Sequence, residues 1–154
     1  MPTCRVYERP DGGVSVVTLA EKNRRPAESD DAFFARVIPK TGLEGLPYVD
    51  VDPATLPSRR FRDAWTLTAG KVSHDLPKAR ALRLAELRAG RDILLAESDG
   101  PKLRALERGA AKEIAALDAY RQALRDLPAQ AEAELAAIVR VEDLATYEPT
   151  WPTP

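Results

Sequence analysis

Cysteine and histidine are almost absent from this chain of 154 residues, which holds one of each, Cys4 and His74. A lone cysteine excludes an intrachain disulfide framework, and one cysteine with one distant histidine cannot supply the four ligands of a structural zinc site. A single histidine without a Gly-x-Ser-x-Gly motif also disfavours a Ser-His-Asp nucleophile. We interpret Cys4 as a small strand residue and His74 as a polar turn residue, and we expect no metal site and no cofactor.

Long hydrophobic runs and a surplus of either charge are missing as well. No stretch approaches the roughly 20 apolar residues that cross a bilayer, and residues 1–9 are polar and charged, so we expect neither a membrane span nor a secretory signal. The formal net charge is -1, which disfavours a protein built around nucleic acid, because phosphate binding needs a surplus of Lys and Arg. A Gly-rich phosphate loop with Lys-Ser/Thr is also lacking.

Proline separates an irregular first half of the chain from a smoother second half, since most of the 13 prolines lie in the first half. There, β-branched residues around Gly-containing turns predict two β-hairpins, over residues 4–19 and 65–73. A serine followed by two aspartates predicts a capped helix over 30–38. Residues 48–51 predict a short strand.

The second half is rich in Ala, Leu, Arg and Glu, which favour helix. We predict a helix over 76–97, a break at 98–100 and a second helix over 101–127, together forming an antiparallel helical hairpin. A weaker helix over 129–139 follows Pro128, and the prolines near the end predict an extended segment. The predicted fold class is therefore α+β, with a β-rich irregular region at 1–75, a helical hairpin with a short third helix at 76–139 and an extended C-terminal region at 140–154.

A heptad pattern is the clearest periodicity of the second helix. Apolar residues recur every seven positions from Leu103 to Leu124, with Leu106 and Tyr120 at the partner positions. This seam packs either against the first predicted helix or against a second copy or another protein. The Trp-Pro segment at the C-terminus either folds back over an apolar patch or docks in a groove of a partner. The candidate partner-binding residues are Leu103, Leu106, Leu117, Tyr120, Leu124, Tyr147 and Trp151.

Two charged clusters point to other functions. Arg59, Arg60 and Arg62 form the densest basic patch, which is either a phosphate contact of a small nucleic-acid-binding regulator or a solvated turn. Asp50 and Asp52 alternate along an extended segment and would hold a cation in a metal-dependent enzyme, although a turn after Asp52 explains this residue without a metal. The near-neutral net charge favours the solvated turn for the arginines.

Several segments together resemble proteins of tailed bacteriophages. Residues 118–128 (DAYRQALRDLP) resemble a segment near the C-terminus of tail fibre assembly proteins and related tail accessory proteins. Residues 147–152 (YEPTWP) resemble the Trp-Pro ending of that family. Residues 56–65 (LPSRRFRDAW) and 76–80 (LPKAR) resemble blocks of small proteins encoded among phage tail genes. The resemblance extends over about residues 56–154.

The resemblance implies a non-enzymatic protein that binds a phage tail or tail-fibre partner, as an assembly chaperone or as a structural component of the virion. A chaperone of this kind covers apolar surface on its partner and prevents premature association. The implied location is the virion tail, or the host cytoplasm during assembly, and a homo-oligomer is an open alternative. The runner-up hypothesis is the small nucleic-acid-binding regulator, which the net charge disfavours.

Overall fold

The computed structural model describes residues 3–154 and confirms the predicted α+β fold class. Small antiparallel sheets occupy the first half of the chain and long helices the second. The chain divides into two compact units, Met1–Asp75 and Leu76–Pro154. Within residues 3–154, no helix has an apolar stretch long enough to cross a membrane.

A three-stranded antiparallel sheet organises the first unit. Strands β1 (Cys4–Glu8) and β2 (Val14–Thr18) form the predicted hairpin, whose turn contains Gly12 at a φ of 74°. Strand β3 (Tyr48–Val51) pairs with the other edge of β1, which is therefore the central strand. The strand itself was predicted, but its place was not, because a four-residue strand distant in sequence carries no local signal for the edge that it joins.

A second hairpin and one α-helix complete this unit. The hairpin consists of β4 (Trp65–Thr68) and β5 (Lys71–His74), as predicted. Helix α1 (Asp30–Val37) begins after Ser29, whose Oγ accepts a hydrogen bond of 3.2 Å from the amide of Ala32. The predicted N-cap is confirmed, and it satisfies one of the amides that a helix start leaves without an intrahelical acceptor.

The two faces of β1 pack against different elements, because successive side chains of a strand alternate. Cys4 and Val6 are fully buried in a cluster with Trp65 of β4. On the opposite face, Tyr7 packs in a second cluster with the phenylalanines of α1. His74 belongs to β5 and not to a turn, so that prediction is wrong; its Nε2 lies 3.1 Å from the indole Nε1 of Trp65.

Four helices form the second unit: α2 (Leu76–Glu97), α3 (Asp99–Glu107), α4 (Ala111–Ala137) and α5 (Val141–Thr146). The helices α2 and α4 run antiparallel, since residues that come later in α2 contact residues that come earlier in α4. The contacts that show this are Arg80 with Ile138, Arg88 with Glu132, and Leu95 with Arg121. Helix α3 connects the two and packs mainly on α4.

The predicted continuous helix over 101–127 is wrong, because the chain breaks at Gly109. Gly109 has a φ of 64°, in the left-handed region that residues with a Cβ rarely adopt. Its amide donates to the carbonyl of Leu106 over 3.1 Å, which closes the end of α3. The predicted heptad seam runs through this glycine, so positions before and after it do not share one helical stripe.

Helix extends further than predicted at two places. Pro128 lies buried inside α4 and does not end a helix, so the predicted third helix over 129–139 is the second half of α4. A proline inside a helix costs about 3 kcal/mol, and the burial of Leu127 and Leu135 on either side of it offsets that cost. The segment predicted as extended contains α5, whose Leu144 is fully buried.

Candidate functional site

Three of the predicted partner-binding residues lie in the interior of the helical unit. Leu124 is fully buried, and Leu117 and Tyr120 are nearly so. All three belong to α4, which makes its most extensive contact with α2. These side chains therefore pack internally and stabilise the unit, which is one of the two alternatives that the heptad pattern left open.

Leu103 and Leu106 lie on the surface instead. They are 58% and 52% exposed, among the most exposed large apolar side chains in residues 3–154. Residues three apart on a helix are neighbours on one face, so the two leucines share a face of α3, and we name them the leucine patch. The side chain that α3 buries is Ala105, because the break at Gly109 gives α3 an orientation of its own.

Ion pairs connect α3 to α4. Lys102 Nζ is 2.5 Å from Asp118 Oδ1, and Arg121 Nη1 donates to Asp99 Oδ1 over 2.6 Å. The same arginine nitrogen donates to the buried hydroxyl of Ser98, just before α3. The carboxylates of Asp118 and Asp99 are 60% and 68% exposed, so these ion pairs add little stability. They show how the start of α3 lies against α4, and the buried Ala105 adds packing.

The C-terminal segment folds back onto its own helices. Residues 147–154 follow α5 without regular secondary structure, and we name them the strap. The hydroxyl of Tyr147 donates to Glu134 Oε2 on α4 over 2.9 Å. Burial and the nearby Glu134 carboxylate raise the pKa of Tyr147 to about 12, so its hydroxyl stays protonated and able to donate at neutral pH.

Two residues of α2, Arg83 and Gly90, also contact the strap. Arg83 donates through Nη2 to the carbonyl of Tyr147 over 2.5 Å and to Glu148 Oε1 over 2.7 Å. Further along α2, a Cβ built on Gly90 would lie 3.2 Å from Cη2 of Trp151. The indole ring of Trp151 thus packs directly on the backbone of α2, where a side chain would obstruct it.

Sequence reasoning missed Arg83 and Gly90 as functional candidates. Arg83 is 7% exposed although it stands in a helix rich in surface arginines, and nothing local distinguishes it from them. Gly90 did carry a signal, because a glycine inside a helix destabilises it by up to about 1 kcal/mol relative to alanine. A glycine inside a helix indicates that another group approaches the backbone closely, and at Gly90 this group is the ring of Trp151.

The arginine cluster of the first unit is exposed. Arg59, Arg60 and Arg62 lie in a short 3-10 turn that Ser58 caps. The guanidinium carbon of Arg60 is 4.8 Å from the ring centroid of Phe61, which is buried. The turn therefore exposes its basic side chains to solvent, while Phe61 packs in the interior.

The two aspartates considered as cation ligands have other roles in the structure. Asp50 accepts hydrogen bonds of 2.9 and 3.1 Å from Arg5, and its carboxylate raises the pKa of that guanidinium. Arg5 itself lies between the rings of Phe34 and Tyr48, about 4 Å from each centroid. Asp52 caps the next turn through its side chain. Among residues 3–154, no group of three or more His, Cys, Asp and Glu side chains is arranged to hold a metal ion.

A known protein family matches the helical unit from the middle of α2 to the strap. Residues 84–153 match the family model described as phage tail assembly chaperone protein. The match confirms the resemblance to phage tail accessory proteins over these residues. The blocks at 56–65 and 76–80 lie outside the match. The match includes the leucine patch on α3, the buried residues of α4 and almost the whole strap. The comparisons found no match among curated proteins or solved structures.

The phage tail assembly chaperone match supports a role in phage tail assembly. It also agrees with a location in the virion or in the host cytoplasm during assembly. The match begins at residue 84, within α2, and lies inside the helical unit.

Proposed function

We propose that this protein acts without catalysis in phage tail assembly, by binding a tail or tail-fibre protein through its helical unit. The observation that carries this proposal is the match of residues 84–153 to the phage tail assembly chaperone family. The exposed Leu103 and Leu106 on α3 support it, because apolar side chains in water gain free energy when a partner covers them.

The leucine patch is the best candidate for first contact with a partner. Leu103 and Leu106 stand on a regular helix that packs on α4, so little backbone entropy is lost when a partner covers them. Ile93 of α2, 61% exposed, is a further apolar side chain of this unit that a partner would cover. Covering such residues removes apolar surface from water on both proteins, which drives association.

The test is co-expression of the chain with each structural tail protein of its phage, one at a time. We expect one of them to become more soluble and to co-purify as a complex whose mass light scattering defines. The double substitution Leu103→Ser and Leu106→Ser is expected to reduce the co-purified amount at least tenfold. The matched control, Ala123→Ser and Ala129→Ser at exposed positions of α4, introduces the same hydroxyls and is expected to leave the complex unchanged.

Two results contradict the proposal. One is that no tail protein gains solubility or co-purifies with the chain. The other is that both double variants bind equally well, which removes the leucine patch from the interface. Mass spectrometry of purified virions separates the two forms of the proposal: a structural component stays in the particle, and a chaperone is absent from it.

The nucleic-acid-binding regulator is the alternative, and the exposure of Arg59, Arg60 and Arg62 is the observation that favours it. Phosphate binding by these arginines predicts an affinity for DNA that falls steeply with salt, because bound counterions are released. Fluorescence anisotropy of a labelled duplex at 50 and 200 mM salt tests it. Binding at low salt that Arg59→Ala, Arg60→Ala and Arg62→Ala together abolish supports the regulator, and no binding at 50 mM salt excludes it.

A further inference from the structure

The strap follows a groove beside α2 in a regular register. Glu148 pairs with Arg83, Trp151 packs on Gly90, and Pro154 lines a small cavity near Leu94. The seven residues from Arg83 to Gly90 rise about 10 Å along the helix. The three residues from Glu148 to Trp151 cover about 9 Å in a polyproline II conformation. The two spacings agree, so the strap lies along α2 without bulging.

The composition of the strap fits this extended conformation. It contains Pro149, Pro152 and Pro154, and proline favours polyproline II and lowers the conformational entropy that docking costs. Pro149 is buried and Trp151 is half-buried. An extended proline-containing segment with an aromatic anchor is a ligand type that grooves on other proteins bind in trans.

The groove provides matching chemistry for such a ligand. Its floor at Gly90 has no side chain, and this allows the indole ring to reach the backbone of α2. Its charged end is Arg83, which is more than nine-tenths buried and whose Nε has no hydrogen-bond partner. Leu94, Leu117 and Tyr120 line the cavity of about 180 Å³ at the far end. The groove therefore has an apolar floor, and Arg83 at its start holds Tyr147 and Glu148, which precede the residues that occupy it.

We propose that this groove is a peptide-binding site that the strap occupies in the free protein, and that an extended, proline-containing segment of the tail partner with an aromatic anchor displaces residues 149–154. The inference rests on the proposed function, because it assumes a tail partner. The strap then acts as an intramolecular cover that keeps the groove out of water until the partner binds.

The structure favours a partner segment over a strap exchanged between two copies of the chain. Leu144 in α5 is fully buried, and the carbonyl and hydroxyl of Tyr147 are bonded to Arg83 and Glu134. The chain is thus anchored up to Tyr147, and the six residues after Glu148 span at most about 20 Å. That length allows the segment to lift from its own groove but is short for reaching the groove of a second molecule.

The experiment is an NMR titration of the full chain with a synthetic peptide of residues 149–154 (PTWPTP). In the variant Trp151→Ala the strap loses its aromatic anchor and the groove stays intact. We expect the peptide to shift the amide resonance of Gly90 in this variant, with an apparent affinity at least tenfold higher than for the native chain, whose strap competes at a high effective concentration.

Adding Gly90→Leu to Trp151→Ala is expected to abolish the shift, because a leucine side chain fills the position of the ring. The matched control in the same background is Ala89→Leu, at the exposed neighbouring position.

Three results overturn the inference. The peptide does not shift Gly90 in Trp151→Ala, or the native chain binds it equally well, or light scattering shows a dimer that dissociates when Trp151 is replaced, which assigns the groove to a second copy. If Trp151→Ala does not fold, acrylamide quenching of the full chain decides. Gly90→Leu is expected to at least double the quenching of tryptophan fluorescence, and Ala89→Leu to leave it unchanged; equal quenching in the two contradicts the position of Trp151. If a tail partner co-purifies but the peptide does not bind, the proposed function stands and only the peptide-binding groove is refuted.

Discussion

Arg83 is the residue at which most polar contacts of the strap meet. Its guanidinium donates to Tyr147, to Glu148 and, within α2, to Glu86 over 2.9 Å. The carboxylates of Glu86 and Glu148 remain partly hydrated, at 38% and 68% side-chain exposure. The Coulomb contribution of these ion pairs to stability is therefore small. The bond to the Tyr147 carbonyl and the packing of the buried arginine stem contribute more.

We predict that Arg83→Gln lowers the free energy of unfolding by about 1 to 3 kcal/mol, because the shorter side chain leaves hydrogen-bond partners unsatisfied. Urea unfolding followed by circular dichroism measures this. The matched control is Arg88→Gln, which replaces a half-exposed arginine of the same helix that lies 3.9 Å from Glu132. We expect a change within about 0.5 kcal/mol there. Equal losses in both variants would mean that Arg83 is an ordinary surface arginine.

Glu28 carries the clearest pH dependence in the first unit. Its carboxylate accepts two hydrogen bonds of 2.7 Å from Arg36, which lower the pKa of Glu28 to about 2 from an ordinary value of 4.5. A carboxylate whose pKa is lower in the folded state stabilises it above the unfolded pKa, and this contribution is lost as the pH falls through the folded pKa. The pair therefore contributes fully above pH 4.5 and is lost between pH 4.5 and 2.

We expect the unfolding temperature of the first unit to fall between pH 4.5 and 2 less steeply in Glu28→Gln than in the parent protein. Trp65 fluorescence in a Trp151→Phe background reports this unit, since the chain has two tryptophans. Glu44→Gln, at an exposed loop position, serves as control and should follow the parent. Identical slopes for Glu28→Gln and the parent would refute the assigned pair.

At the scale of elements, the break between α3 and α4 determines which leucines are exposed. Gly109 is the one residue with a positive φ in Leu76–Pro154, a range that the structure describes throughout. The left-handed conformation costs a residue with a Cβ about 1 to 2 kcal/mol. Without this break, Leu103 would continue the row of Leu117 and Leu124, and Leu106 the partner row of Tyr120, as the heptad pattern predicted.

We predict that Gly109→Ala lowers the free energy of unfolding by about 1 to 2 kcal/mol, measured by urea unfolding. Gly100→Ala is the matched control within α3, where a Cβ would meet only the flexible end of Arg104 at 3.3 Å. Its stability is expected to stay the same or to rise by up to about 1 kcal/mol, because alanine favours helix. A stable Gly109→Ala protein would show that α3 and α4 tolerate a continuous helix.

The same element boundary separates two leucines that the sequence places in one seam. Leu124→Ala removes a fully buried side chain and is expected to cost about 2 to 5 kcal/mol. Leu106→Ala removes a side chain that is half exposed and is expected to change stability by less than about 0.5 kcal/mol. Chemical denaturation of both variants measures the difference, and similar losses would mean that Leu106 is buried in solution.

At the scale of the whole molecule, each of the two units contains its own buried core. The first has the two clusters on either side of β1. The second buries Leu87, Leu124, Leu135 and Leu144 almost completely. A unit with its own core can fold alone, and we propose that the helical unit is such a domain.

We predict that a fragment of residues 76–154 folds by itself, with helical circular dichroism and a cooperative urea transition. It should also bind the tail partner of the full chain, because the family match and the proposed interaction surface lie within it. A fragment that is unstructured in the absence of residues 1–75 would contradict the division into domains. Loss of partner binding by a folded fragment would instead assign part of the surface to the first unit.

Elements with strong local signals were predicted within a few residues. The cap at Ser29, the hairpin at Gly12 and the start and end of α2 each depend on residues close together in the chain. The predicted helix ran through Gly109 and ended at Pro128, and both predictions were wrong. At Pro128, packing outweighs the local preference of proline. At Gly109, the alanine-rich neighbouring sequence does not indicate a positive φ. Of the candidate site, Trp151 and the leucines were named from sequence, whereas Arg83 and Gly90 were not.

The sequence by itself determined the fold class, the two hairpins and the resemblance to phage tail accessory proteins, because these follow from composition, turn residues and motifs that do not depend on distant contacts. Only the tertiary structure decided which apolar residues are buried and that the Trp-Pro strap lies on α2. The physical reason is that burial is set by contacts between segments far apart in the chain. Gly109 at the break between α3 and α4 and the buried Arg83 that binds the strap are examples, and neither is distinguished in the sequence from an ordinary surface residue.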